Sequence, residues 1–111
     1  MNDRKSFYDI TSFYDQKAVL AASYQGMRYR LKKSENPEKE GEVCLSAVIW
    51  PEPFSFEKTP EERKEYRSFP YTEDGLDEAY EWVCKQYDEK RELWEHVRDH
   101  PMEVIFQKKD V

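Results

Sequence analysis

The sequence predicts an α+β fold: a small antiparallel sheet of three to four strands, with a short N-terminal helix and a long C-terminal amphipathic helix packed on one face. Three observations predict it. Over residues 27–33, apolar Met27, Tyr29 and Leu31 alternate with basic Arg28, Arg30 and Lys32, the period of a half-buried strand. Residues 43–50 are almost wholly apolar and rich in β-branched and aromatic side chains, as a well-covered strand requires. From Thr72 onward, apolar residues recur at helical spacing behind a capping residue. With 111 residues, one domain spanning 1–111 is expected.

Taken in order, residues 11–24 carry Phe13, Ala18, Val19, Leu20, Ala21 and Ala22, with Thr11 or Ser12 placed to cap and Gly26 just beyond. This predicts the short helix. On the following strand, Met27, Tyr29 and Leu31 face the core, and Arg28, Arg30 and Lys32 face water. A polar loop over 34–42 brackets the reversal with Pro37 and Gly41. In the next strand Val43, Leu45, Ala47 and Ile49 share one face, while Cys44, Ser46, Val48 and Trp50 share the other.

Pro51 and Pro53 exclude an internal strand over 50–56 and predict an extended edge segment, because proline lacks an amide donor. Thr59, Pro60, Glu61 and Glu62, an N-cap, a first-turn proline and two first-turn acids, predict either one helical turn or a helical hairpin loop. Residues 66–71 are a plausible third strand. Leu76, Ala79, Tyr80, Val83 and Tyr87 then mark the long helix, whose stripe continues imperfectly to Trp94 and Val97 before Pro101 ends it. A bend or protrusion is therefore expected in its last two turns, and residues 102–106 are apolar enough for a final strand.

Composition bounds function. Aromatics are 15% of the chain, too many for a disordered tail. The net charge of −6 argues against a protein that holds nucleic acid directly by neutralising phosphates. That charge is unevenly distributed: residues 1–33 hold seven basic and three acidic side chains, and the rest hold eleven and twenty-one. No apolar run approaches the ~20 residues of a membrane span, so a cytoplasmic protein without membrane contact is expected. Cys44 and Cys84 stand far apart, with neither a CxxC pair nor a disulfide framework, and are expected to be reduced and partly buried.

Glu92, His96 and His100 would share a helix face if the helix reaches that far, which makes them the candidate metal ligands. No HExxH accompanies them, and histidines near a helix C-terminus also suit its dipole. No serine sits in a nucleophile elbow, and three glycines build no phosphate-cradling loop. An enzyme is therefore not expected, and no cofactor is.

Two features point instead to partner binding. Glu73, Asp77 and Glu81 recur at i, i+4 and i+8, with Asp74 and Glu78 as a second row. Such a face presents carboxylates at a spacing near that of nucleic-acid phosphates and suits a basic groove, although acids also collect at helix starts because of the dipole. Trp50, Phe54 and Phe56, with Tyr66, Phe69 and Tyr71, flank the proline-rich segment and serve either as core or as an apolar anchor. The basic strand face admits nucleic acid or a second copy's acidic helix. Pairing with Glu38, Glu40 and Glu42 across the hairpin is the expectation.

The runs Ile49-Trp50-Pro51-Glu52-Pro53-Phe54-Ser55-Phe56-Glu57-Lys58-Thr59-Pro60-Glu61-Glu62 and Phe69-Pro70-Tyr71-Thr72-Glu73-Asp74-Gly75-Leu76 resemble small cargo proteins of conjugative elements and phages of Gram-positive bacteria. The resemblance transfers no catalytic residues. It implies a context in which short acidic proteins act against host defence, of which anti-CRISPR proteins, several of them nucleic-acid mimics, are the best-known kind. The expected function is thus a non-enzymatic inhibitor of a host nucleic-acid-handling enzyme, most concretely a CRISPR nuclease. A structural or regulatory homodimer is the second expectation, and a small metal-dependent enzyme the third.

Overall fold

A computed structural model of the chain describes residues 2–35, 41–52 and 55–100. Its centre is an antiparallel meander of four strands in the order β1-β2-β3-β4: Leu20–Tyr24, Met27–Glu35, Val43–Pro51 and Glu65–Pro70. Helices α1 (Glu73–Glu89) and α2 (Arg91–Asp99) follow. The expectations for 102–106, Phe54, Glu38 and Glu40 lie outside the described residues.

The predicted N-terminal helix is corrected. Within 11–24 only the 3-10 turn Tyr14–Gln16 is helical and Leu20–Tyr24 is strand β1; a second 3-10 turn, Arg4–Phe7, precedes the segment. The alanines of this segment favour helix intrinsically, but cross-strand pairing overrides propensity. Leu20, Ala22 and Tyr24 stand opposite Leu31, Tyr29 and Met27, which extends the apolar face of β2. Gly26 is not a helix stop. Gln25 and Gly26, at φ 48 and 96, form the two-residue hairpin turn whose right-handed twist needs positive φ at both positions.

The alternation on β2 is realised: Met27, Tyr29 and Leu31 are fully buried. On β3, Leu45, Ala47 and Ile49 join them, whereas Val43 is exposed at the strand end. Cys44, Val48 and Trp50 are also buried, on the opposite face. The extended edge expected over 50–56 is corrected where it is described: Trp50 and Pro51 end β3, a central strand, and 56–58 form a turn, while residues 53 and 54 lie outside the described residues. A helical turn is present as the 3-10 turn Glu61–Arg63, which follows Pro60 and has no side-chain cap; the Thr59 hydroxyl instead donates to the Ser55 carbonyl.

Helix α1 begins as its sequence directs, the Thr72 hydroxyl accepting from the Gly75 amide at 2.9 Å. Leu76, Ala79, Val83 and Tyr87 are buried against the sheet together with Phe7, Tyr14 and Phe69. The expected bend is a break at Lys90. There the Gln86 carbonyl accepts from both the Lys90 amide and the Trp94 indole, a competing bond of the kind that kinks helices. Beyond the break, Trp94 and Val97 are buried.

Two glycines set how closely the helices approach. A Cβ on Gly75 would stand 1.9 Å from the Pro70 carbonyl oxygen, and one on Gly26 would stand 1.8 Å from that of Trp94. The N-terminal segment then straps α1 to the sheet. Phe7 stacks on Tyr29 at 5.2 Å and meets Tyr80 edge-on at 5.0 Å. The Tyr14 hydroxyl donates to the Phe7 carbonyl, and the Tyr80 hydroxyl donates to that of Asn2. Burial pushes the Tyr14 and Tyr29 phenols above their usual range.

Gly75→Ala is expected to destabilise the protein by on the order of 2 kcal/mol, although alanine alone would favour a helix by about 1 kcal/mol; a urea midpoint at or above wild type would contradict this close approach. Alkaline pH supplies a second test. A phenol whose folded pKa is raised adds stability that is complete below its unfolded value of about 10 and is lost as pH rises toward the folded value. The melting temperature should therefore hold steady to about pH 10 and fall above it, more gently in Tyr14→Phe.

Candidate functional site

Helix α1 turns its acidic residues outward because its apolar stripe is committed to the sheet. Glu73, Asp74, Asp77, Glu78 and Glu81 are all exposed. The expectation that they form one free cluster is corrected for two of them. Arg4 reaches Asp77 at 2.6 Å and Glu73 at 3.7 Å, and Glu73 also accepts from the Ile10 amide at 2.8 Å. The 3-10 turn Arg4–Phe7, which precedes the segment read as a helix, lies against α1 and so brings Arg4 to the first carboxylate row. Exposed pairs of this kind contribute at most about 1 kcal/mol, but they remove formal negative charge from that side of the helix.

Asp74, Glu78 and Glu81 have no ion pair among the described residues. At 100° per residue they fall within about 60° of arc, spread over about 10 Å of axis. Glu78 and Glu81 border a shallow depression of about 330 Å³ that Trp82 and Lys85 of α1 and Arg67 and Phe69 of β4 also line. The site is therefore a short acidic strip edged by two cations rather than a uniform ladder.

The aromatic group divides. Trp50 is only 4% exposed, which corrects its reading as an exposed anchor: it lies on the sheet face opposite α1, in edge contact with Phe56 at 5.6 Å. Phe56 is half-buried and meets Tyr66 at 6.4 Å. The Lys64 ammonium stands 3.9 Å from the centre of the Phe56 ring and is paired with Glu61. Phe69 belongs to the core. Phe54 lies outside the described residues.

The metal candidates are only partly assembled. His96 and His100 stack at 4.4 Å, and the His100 Nδ1 lies 3.0 Å from the His96 carbonyl at the end of α2. Glu92 is exposed one turn earlier. Among the described residues, no group of three or more His, Cys, Asp or Glu side chains is arranged to hold a metal ion. Cys44 is buried, Cys84 is half-buried, and both are free thiols. Burial raises the Cys84 pKa, opposed by the hydroxyl of Tyr80, whose own pKa is pushed up to about 12 chiefly by burial. The upward shift of Cys84 keeps the thiol protonated near neutrality, the opposite of nucleophile activation. No helix among the described residues is long and apolar enough to cross a membrane.

The residue group that sequence reasoning undervalued is the basic row on β2. Strand register sets Arg28 between Ser23 and Trp50, and Arg30 between Ala21 and Val48, with Lys32 beside Ser46. No carboxylate stands opposite any of them. Pairing with Glu42 across the hairpin is not formed, since β2 runs to Glu35 and β3 starts at Val43, leaving Glu42 beyond the paired ends. The signal was present in the strict alternation. Comparison with protein-family models, with curated proteins and with solved structures finds no match.

Proposed function

We infer that this chain is a non-enzymatic binding protein that occupies a basic groove on a nucleic-acid-handling enzyme of its host, most concretely a CRISPR nuclease. The observation that carries the reading is the strip of Asp74, Glu78 and Glu81, exposed on one side of α1 and free of internal ion pairs among the described residues. Its geometry is held by the capped first turn and by the close approach of Gly75 to Pro70. A rigid helix presents charge without the ordering penalty that a flexible acidic tail would incur.

Three carboxylates give attraction and rate more readily than residence time, so an apolar contact must accompany them. Trp82, half-buried beside Glu78 and Glu81, is the nearest large ring, and it takes the anchoring role first assigned to Trp50. The anti-CRISPR context rests on the resemblance of residues 49–62 and 69–76.

The triple reversal D74K/E78K/E81K is expected to fold normally and to lose capture of nucleic-acid enzymes from host lysate, together with any inhibition of them. Wild-type capture should weaken sharply between ~50 and ~200 mM salt. Inhibition retained by the reversed variant would rule out the acidic strip as the contact.

A further inference from the structure

The sheet face turned away from α1 carries the second feature. Because Met27, Tyr29 and Leu31 are buried beneath the helices, parity places Arg28, Arg30 and Lys32 together on the other side. Same-face positions on one strand repeat at about 6.7 Å, comparable to the distance between phosphates of an extended single strand. None of the three cations meets a carboxylate among the described residues. The Arg28 Nε is buried with no hydrogen-bond partner, a group that normally finds an acceptor.

Beside this row lies a concavity of about 210 Å³. Arg30 and Lys32 form one side, the Ser34 and Ser46 side chains and Val48 border it, and Phe56 and Tyr66 close it. Tyr66 is 52% exposed, and its hydroxyl donates to Glu61 at 2.9 Å. The Arg30 guanidinium stands 4.7 Å from the Phe56 ring centre, a contact that fixes its position without neutralising its charge. Glu61, the carboxylate contacted by Tyr66, is also paired with Lys64.

We propose that this face binds the phosphate and base of a nucleotide, the phosphate on Arg30 and Lys32 and the base against Tyr66 and Phe56. Guanidinium and ammonium groups with neighbouring hydroxyls suit a phosphate. An aromatic wall beside them suits an unstacked base, the combination used by open sheets that take single strands. A carboxylate partner would use the cations but not the rings. The net charge of −6 averages two faces that the fold separates.

The test is fluorescence polarisation of a labelled oligothymidylate of ~12 nucleotides with the full chain, at ~50 and ~200 mM salt. Saturable binding is expected, weaker at the higher salt. It should weaken at least about tenfold in R30Q/K32Q and several-fold in Tyr66→Ala, with a duplex of equal length competing poorly. D74N/E78Q/E81Q should bind as wild type does, which separates this site from the acidic strip. Competition by thymidine monophosphate, equal per nucleotide, identifies a free nucleotide as the ligand; competition by oligomers alone identifies a single strand. If R30Q/K32Q fails to fold by circular dichroism, the exposed Lys32→Gln alone carries the comparison. Absent binding of both probes overturns the proposal, as does unchanged binding in the folded variant. Salt-sensitive self-association abolished by R30Q/K32Q also overturns it, because the face would then serve a second copy.

Discussion

Side chains on a strand point alternately to opposite faces, and this parity governs the molecule. Burying Met27, Tyr29 and Leu31 commits Arg28, Arg30 and Lys32 to the other side of the sheet, whatever their surroundings. A one-residue slip in register would exchange the two sets and put three cations into the core. The antiparallel pairings on both flanks of β2 therefore hold the hydrophobic core and the basic face in place at once.

The helix side obeys a parallel constraint. Leu76, Ala79, Val83 and Tyr87 face the sheet, so the acidic residues of α1 must face out. The N-terminal strap then selects among them, since Arg4 takes Glu73 and Asp77 and leaves Asp74, Glu78 and Glu81. The fold thus sets the unpaired carboxylates of α1 on the helical side and Arg28, Arg30 and Lys32 on the opposite side of the sheet, beside the covered Val48 and Trp50. The chain's overall acidity describes neither face.

Much of the fold was legible in the sequence where patterns were local. The alternation over 27–33, the cap at Thr72 and the uneven stripe after Tyr87 each found its structural counterpart in β2, the start of α1 and the break at Lys90. The segment 18–24 misled because three alanines favour a helix, whereas its conformation is set by Leu31, Tyr29 and Met27 across the hairpin. Gly26 punctuates either element, and only the pairing decides which. The candidate site was legible as a set of exposed acids. Its division by Arg4 depends on a contact between residues 4 and 77, which no periodicity encodes. Trp50 was misplaced because both faces of β3 are covered, so alternation could not say that its side was closed.

The separation of charge onto two faces is most directly measured by amide chemical shifts in the isotope-labelled chain, titrated in turn with oligothymidylate and with oligolysine. The polyanion is expected to move resonances of β2, β3 and β4 around Arg30, Ser46 and Tyr66, and the polycation those of α1 around Asp74, Glu78 and Glu81. Shifts from both titrants on the same face, or polyanion shifts confined to α1, would contradict that separation.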